Sequence, residues 1–255
     1  MIRRQSLILV ALLAAALGGC GNNEESTYQG WIEGDFIFVA PDEAGRVENL
    51  YVREGNSVAA GDSLFTVDAE LQEADLRVAE AALANARQAF ERAQQLLKSG
   101  SGTQKNFDDV QAQLREAEAR ERAAKTRLVR RQLSSPVSGA VQQVYYRPGE
   151  MVPAGRAVVS ILPPGAMKVR FFVPQAVLPT VSIGDTVSVR CDGCSADVNA
   201  KVSFIASAAE YTPPVIYSLE ERQKLVFLIE ARPDAPDGLR VGQPVTVRLM
   251  PNEAK

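Results

Sequence analysis

The 255-residue sequence contains no histidine. That removes the commonest general base and the commonest metal ligand, and no nucleophile triad, paired-carboxylate constellation or phosphate loop stands in its place. The sequence therefore offers no catalytic site and no cofactor or metal site. Cysteine is nearly as scarce, with only Cys20, Cys191 and Cys194. The balance of 28 basic and 31 acidic residues leaves a formal charge of −3, which gives no reason to expect nucleic acid. Long apolar runs are missing too: Leu7–Leu17 is too short for a membrane helix of about 20 residues. What is present is a hydrophobic content of 46%, enough to bury a core in one to three modules.

Arg3 and Arg4, the apolar run and Gly18-Gly19-Cys20 form the n-region, h-region and small-residue cleavage site of a signal peptide over residues 1–19. Leu17-Gly18-Gly19-Cys20 resembles the bacterial lipoprotein box, which implies cleavage before Cys20, acylation of its thiol and a charge of 26 − 31 = −5 for the mature chain. The bland alternative is an ordinary secretory signal that leaves a free cysteine. Residues 20–30 are polar and without period, so they read as a lipid-anchored tether. Gly21 follows the cysteine where many inner-membrane lipoproteins carry Asp, which leaves the choice of membrane open.

One stretch occurs twice. Gly45, Val47, Gly55, Val58, Gly61 and Val67 return as Gly139, Val141, Gly149, Val152, Gly155 and Ile161, all displaced by 139 − 45 = 94 residues, while the leading Pro41 and Pro136 are one out of step. Alternating apolar residues broken by glycine read as short strands, and Trp31–Val39 reads as a strand entering the first copy. Two copies make two halves of one small domain, over 31–67 and 134–163.

Between them, at 68–133, the period becomes seven. Leu76, Leu83, Phe90 and Leu97 are interleaved with Ala79, Ala86 and Ala93; after Ser99–Gly102 come Phe107, Leu114 and Leu128 with Val110, Ala117 and Ala124. Two heptad runs joined by so short a turn predict an antiparallel coiled-coil hairpin. Glu121 falls where a further large seam residue would stand.

The Gly-x-Val then Gly-x-x-Val-x-x-Gly-x-x-Leu pattern resembles half of a biotinyl/lipoyl domain, and such a domain split by a helical hairpin resembles the HlyD-type periplasmic adaptors, or membrane fusion proteins. The resemblance implies a mixed α and β, multi-domain fold: a split lipoyl-like domain, an inserted hairpin and a small antiparallel β-barrel. A carrier role is disfavoured, because Asp68-Ala69-Glu70-Leu71 stands where carriers bear the acylated lysine, and no lysine follows before Lys98. At the hairpin tip Arg92, Leu96 and Thr103 resemble the adaptor motif that docks on a TolC-like channel. Ala93 and Thr103 replace the motif's Leu and Ser, and Thr103 also has a structural reading as a helix N-cap.

Past Pro163-Pro164, residues 164–255 carry β-rich runs at Met167–Val173, Thr186–Arg190, Ala196–Ile205, Leu225–Ala231 and Val245–Leu249. Turn signals separate them, as a small barrel requires. Cys191-Asp192-Gly193-Cys194 lies on a hairpin turn, where a small disulfide or two inert thiols fit better than half a zinc site. The Pro-stiffened Glu210–Ser218 connection and the Cys-Asp-Gly-Cys turn resemble adaptors paired with ABC exporters, and the early end after Leu249 suggests that the membrane-proximal domain of larger adaptors is absent. The resemblance thus implies a non-enzymatic periplasmic subunit, lipid-anchored to the inner membrane and assembled as a hexamer, with the outer membrane as the alternative that Gly21 leaves. It would link an inner-membrane ABC exporter, permease and ATPase, to a TolC-like outer-membrane channel. The competing expectation is a periplasmic lipoprotein scaffold or binding module with no channel partner.

Overall fold

A computed structural model describes residues 27–194, 196–211, 225–236 and 238–250. They fall into two compact units, Gly34–Ala166 and a second made of residues up to 33 and from 167 onward. Among the described residues no helix is long and apolar enough to cross a membrane. Cys20 and the Thr212–Ser218 part of the proline-stiffened connection lie outside them.

The first unit is a sandwich of two four-stranded sheets. Its strands are β2 (Ile37–Val39), β3 (Gly45–Leu50), β4 (Ser57–Val58), β5 (Ser63–Val67), β6 (Gln132–Ser134), β7 (Gly139–Val144), β8 (Met151–Val152) and β9 (Val159–Leu162). One sheet has the order β2-β9-β7-β4, the other β6-β5-β3-β8. Each half lends its two-residue strand to the other half's sheet, so β4 pairs with β7 and β8 with β3. The repeat is therefore a symmetry of hydrogen bonds as well as of residues. Gly55 N–H donates to the Val141 carbonyl and Gly149 N–H to the Val47 carbonyl, both at 2.8 Å. Both glycines have φ near +90° (87° and 97°), a conformation that L side chains rarely adopt. Val47, Leu64, Phe65, Val141, Val158 and Ile161 close the core with no exposed surface or nearly none.

The same symmetry corrects the pairing of the leading prolines. Gly155 donates to the Pro41 carbonyl and Gly61 to the Ser135 carbonyl, so Ser135, buried, is the true counterpart of Pro41. Pro136 sits one residue outside the repeat.

Helices α1 (Glu70–Lys98) and α2 (Gln104–Val129) leave from β5 and return into β6. At about 1.5 Å per residue, the 29 residues of α1 extend about 43 Å. The two helices pack on each other, and each shows the same seven-residue stripe of lower exposure, with Ala93, Ala117 and Ala124 buried. Small residues at alternate seam positions let the backbones approach, and Phe90 and Phe107 fill the space near the turn with ring centroids 5.3 Å apart. Glu121 is half-buried on this stripe.

The second unit is a closed six-strand barrel. It consists of β1 (Thr27–Gly34), β10 (Met167–Pro174), β11 (Thr186–Cys191), β12 (Val198–Ile205), β14 (Leu225–Pro233) and β15 (Pro244–Leu249), with the short β13 (Glu210–Tyr211) added to β14. The order β10-β1-β15-β11-β12-β14 closes through the pairing of β14 with β10. This departs from the expectation of one entering strand over Trp31–Val39. Thr27–Gly34 belongs to the barrel, with Thr27 opposite Arg248 and Trp31 opposite Pro244, and only Ile37–Val39 joins the sandwich. Tyr28 and Ile32 point inward on the period of two. Gly30 permits the close approach of β10, since a Cβ there would collide with the Arg170 carbonyl and Phe171 Cβ. Part of the expected tether, Thr27–Gly30, is thus ordered strand.

Candidate docking tip

The tip is built by the chain's own hydrogen bonds. The Leu96 carbonyl accepts from Ser101 N–H and Gly102 N–H at 2.9 Å each and from Ser99 Oγ at 3.0 Å. These bonds satisfy an orphan carbonyl at the end of α1 and fold the turn back, so Thr103 begins α2 beside Leu96. Thr103 is the N-cap, its Oγ1 accepting from Asn106 N–H at 3.2 Å, as its structural reading required.

Leu96 is 47% exposed, outside the seam. Arg92 lies four residues earlier, on the same face of α1, and is exposed, as is Thr103. The structure thus brings Leu96 and Thr103 together at the turn, with Arg92 one helical turn below. The tip carries an exposed apolar group, a cation and a hydroxyl. Among the described residues no group of three or more His, Cys, Asp or Glu could hold a metal ion.

The root of the helical pair carries a constellation that sequence reasoning missed. Arg131, just past α2, is buried, with only 9% of its side chain exposed against 50% for Glu43. Its Nη2 pairs with Glu43 Oε2 at 3.1 Å, and its Nη1 donates to the Ala44 carbonyl at 3.1 Å. Gln72, buried in the first turn of α1, donates to the same Glu43 carboxylate at 3.2 Å. Both helices are thereby tied to one loop of the sandwich, which fixes the direction in which the arm leaves it. Arg130, exposed, makes a second pair with Asp42 at 3.1 Å. The only signal in the sequence is the Arg130-Arg131 pair at a helix end, and nothing local shows which arginine is buried.

In the barrel, Asp197 on the approach to β12 accepts from Arg190 Nε at 2.9 Å and from Arg190 Nη2 at 3.0 Å. The Arg190 hydrogen bonds, aided by Ser188 and Arg248, hold its carboxyl below the usual carboxylate value of 3.8. Cys191 and Cys194 flank the turn after β11, with Cα atoms 5.4 Å apart, and are joined as a disulfide. This is a hairpin turn, with no helix opening there.

Comparison with known proteins agrees with this architecture. Residues 37–162 match the family described as RND MFP, barrel-sandwich hybrid domain. A UPF0194 membrane protein encoded in the asrC 5′ region of Acidithiobacillus ferridurans is 32% identical over 147 residues, covering 56% of this chain and 44% of that relative. The match thus spans less than half the relative's length. A MacA–MexA chimera carrying the Pseudomonas aeruginosa MexA α-hairpin domain superposes with a TM-score of 0.74 at 19% identity, covering 89% of this chain and 80% of that one. The membrane fusion protein Spr0693 of Streptococcus pneumoniae gives a TM-score of 0.71 at 17% identity, covering 89% of this chain and all (100%) of that one. At such identities the two structures speak for the fold, while the domain match speaks for descent. Through its barrel-sandwich hybrid domain, matched over residues 37–162 and split by the helical pair, this chain belongs to the HlyD-type membrane fusion, or adaptor, protein family.

Proposed function

We propose that the protein is the adaptor of an export system, linking an inner-membrane ABC exporter to a TolC-like outer-membrane channel. In this reading α1 and α2 form a coiled-coil arm that reaches for the channel. The sandwich and barrel build a collar, most simply a hexameric ring, around the path of the cargo. Cys20 carries the lipid anchor on the inner membrane, beside the exporter. The observation that carries the reading is the separation of roles on α1: one stripe holds the helices together, while the Leu96 and Arg92 side chains stand exposed on another face near the tip, outside the seam.

The separation is testable. Arg92→Asp and Leu96→Asp change exposed positions, where substitutions usually cost within about 0.5 kcal/mol. They place a carboxylate in a contact that expects an apolar group or a cation, so they should leave thermal unfolding unchanged while export and co-purification of the channel fall. Phe90→Asp is the contrast, because a charge in the seam unfolds the helical pair itself. Full export by both tip variants at wild-type stability would remove the docking role and leave the scaffold without a channel partner.

A further inference from the structure

The three most exposed large apolar side chains among the described residues of the barrel unit are Ile183 at 70%, Phe204 at 47% and Met250 at 40%. Singly such residues need no explanation, but the strand register gathers these at one end. Val187 lies opposite Leu249, which puts Met250 beside Thr186. Thr186 lies opposite Lys201, so Phe204, three residues further along β12, projects beyond the same end. Gly184, next to Ile183, donates to the Val202 carbonyl at 2.8 Å. The opposite end is marked by Val241 and Trp31, each only 36% exposed, and Trp31 is in contact with Phe172 and Arg170.

The chain enters the barrel at the apolar end. Thr27 lies opposite Arg248, two residues from Met250, and Cys20 is 27 − 20 = 7 residues earlier. Seven residues span at most about 25 Å when fully extended, about the length of one eight-residue barrel strand at 3.3 Å per residue. If Cys20 is acylated, the end bearing Thr27 is held within that reach of the bilayer. We propose that this end of the barrel is a membrane-contact surface, with Ile183, Met250 and Phe204 resting in the interfacial layer of the phospholipid bilayer to which Cys20 is tied. The proposal rests on the lipid-anchor reading and extends it from a tether to a defined orientation of the barrel. Lys201, exposed among the three, is placed to meet lipid phosphates. Among the described residues the carboxylates at this end include Asp185, which caps the turn by accepting from Ser182 N–H at 2.7 Å, Glu210 on β13, and Glu230, opposite Phe204 and paired with Lys168 and Arg170. A side chain that is apolar and bare in water gains by entering the acyl boundary, in the manner of interfacial helices, here from turns and strand ends.

The test uses the full-length, cell-processed protein reconstituted into phosphatidylethanolamine/phosphatidylglycerol vesicles with brominated acyl chains, Trp31 fluorescence being the background in every sample. Ile183→Trp should show a blue-shifted emission and a loss of intensity in brominated vesicles, while Val241→Trp at the opposite end should show neither. Protein that floats with the vesicles but gives no quenching at Ile183→Trp would overturn the contact surface and leave the anchor standing. Protein that does not float would overturn the anchor, and the proposal with it. Loss of export by Ile183→Asp, together with unquenched Ile183→Trp, would assign this end to a protein neighbour in place of lipid.

Discussion

The two halves of the sandwich are alike in hydrogen bonding but unlike behind one pair of equivalent glycines, and that difference has a measurable size. Gly45 opens β3 and Gly139 opens β7, related by the 94-residue offset. A Cβ on Gly139 would meet the Leu162 carbonyl oxygen, Ile161 Cγ2 at 2.8 Å and Leu162 C at 2.9 Å. Backbone cannot yield there without disturbing the β7–β9 ladder, in which Ala140 pairs with Leu162 and Val141 with Ile161. A Cβ on Gly45 would instead meet Arg131 Nη1 at 3.0 Å and Val67 Cβ at 3.3 Å, and a side-chain terminus can retreat by a few tenths of an ångström. Overpacking of a well-filled core costs about 1–3 kcal/mol, so Gly139→Ala should fall at about 2–3 kcal/mol and Gly45→Ala below about 1 kcal/mol. For a unit of this size that lowers the melting temperature by about 5–10 °C in the first case and about 3 °C or less in the second. Calorimetry of the purified variants reads both. Equal losses, or a larger loss at Gly45, would refute the reasoning.

Glu43→Gln leaves Arg131 buried without its anionic partner. Because Glu43 is half exposed, the loss should be about 1–2 kcal/mol, below the 3–5 kcal/mol of a fully buried pair; thermal unfolding checks it, and no loss would mean that water replaces the carboxylate. The lowered Asp197 value makes its contribution complete above the ordinary carboxylate range and lost as pH falls through the folded value. The stability gap between wild type and Asp197→Asn should therefore close as pH falls below the ordinary carboxylate value of 3.8 and through the lower folded value, and a gap that widens in acid would contradict the Arg190 pairing. Cys20→Ser should abolish incorporation of labelled palmitate, and persistent labelling would show that the lipoprotein box is misread.

The sandwich was legible because its information is local and stated twice: glycine at each turn, valine on each inward position, and a constant offset. The helical stripe was equally plain, since a period of seven needs no knowledge of the partner. Sequence reasoning stumbled where a residue's state depends on something distant. Thr27–Trp31 pairs with β15, and Thr27 and Arg248 are 248 − 27 = 221 residues apart, so nothing local divides a tether over 20–30 and a strand over Trp31–Val39 at the point where the barrel strand begins. Arg131 looks like any cation at a helix end, and its burial comes from Glu43, 88 residues before it. Leu96 and Arg92 could be separated from the seam by counting alone, whereas the bonds that bring Thr103 beside Leu96 are backbone bonds of a turn and leave little trace in side-chain identity.

A photoreactive amino acid in place of Leu96, in cells carrying the exporter and a TolC-like channel, tests the central claim most directly. The account predicts an adduct with the channel from position 96, absent when the channel gene is deleted, and none from Val78, which is more open to solvent (71% against 47%) on the same helix but far from the tip. Adducts from Val78 without any from position 96, or none with the channel from either, would contradict it.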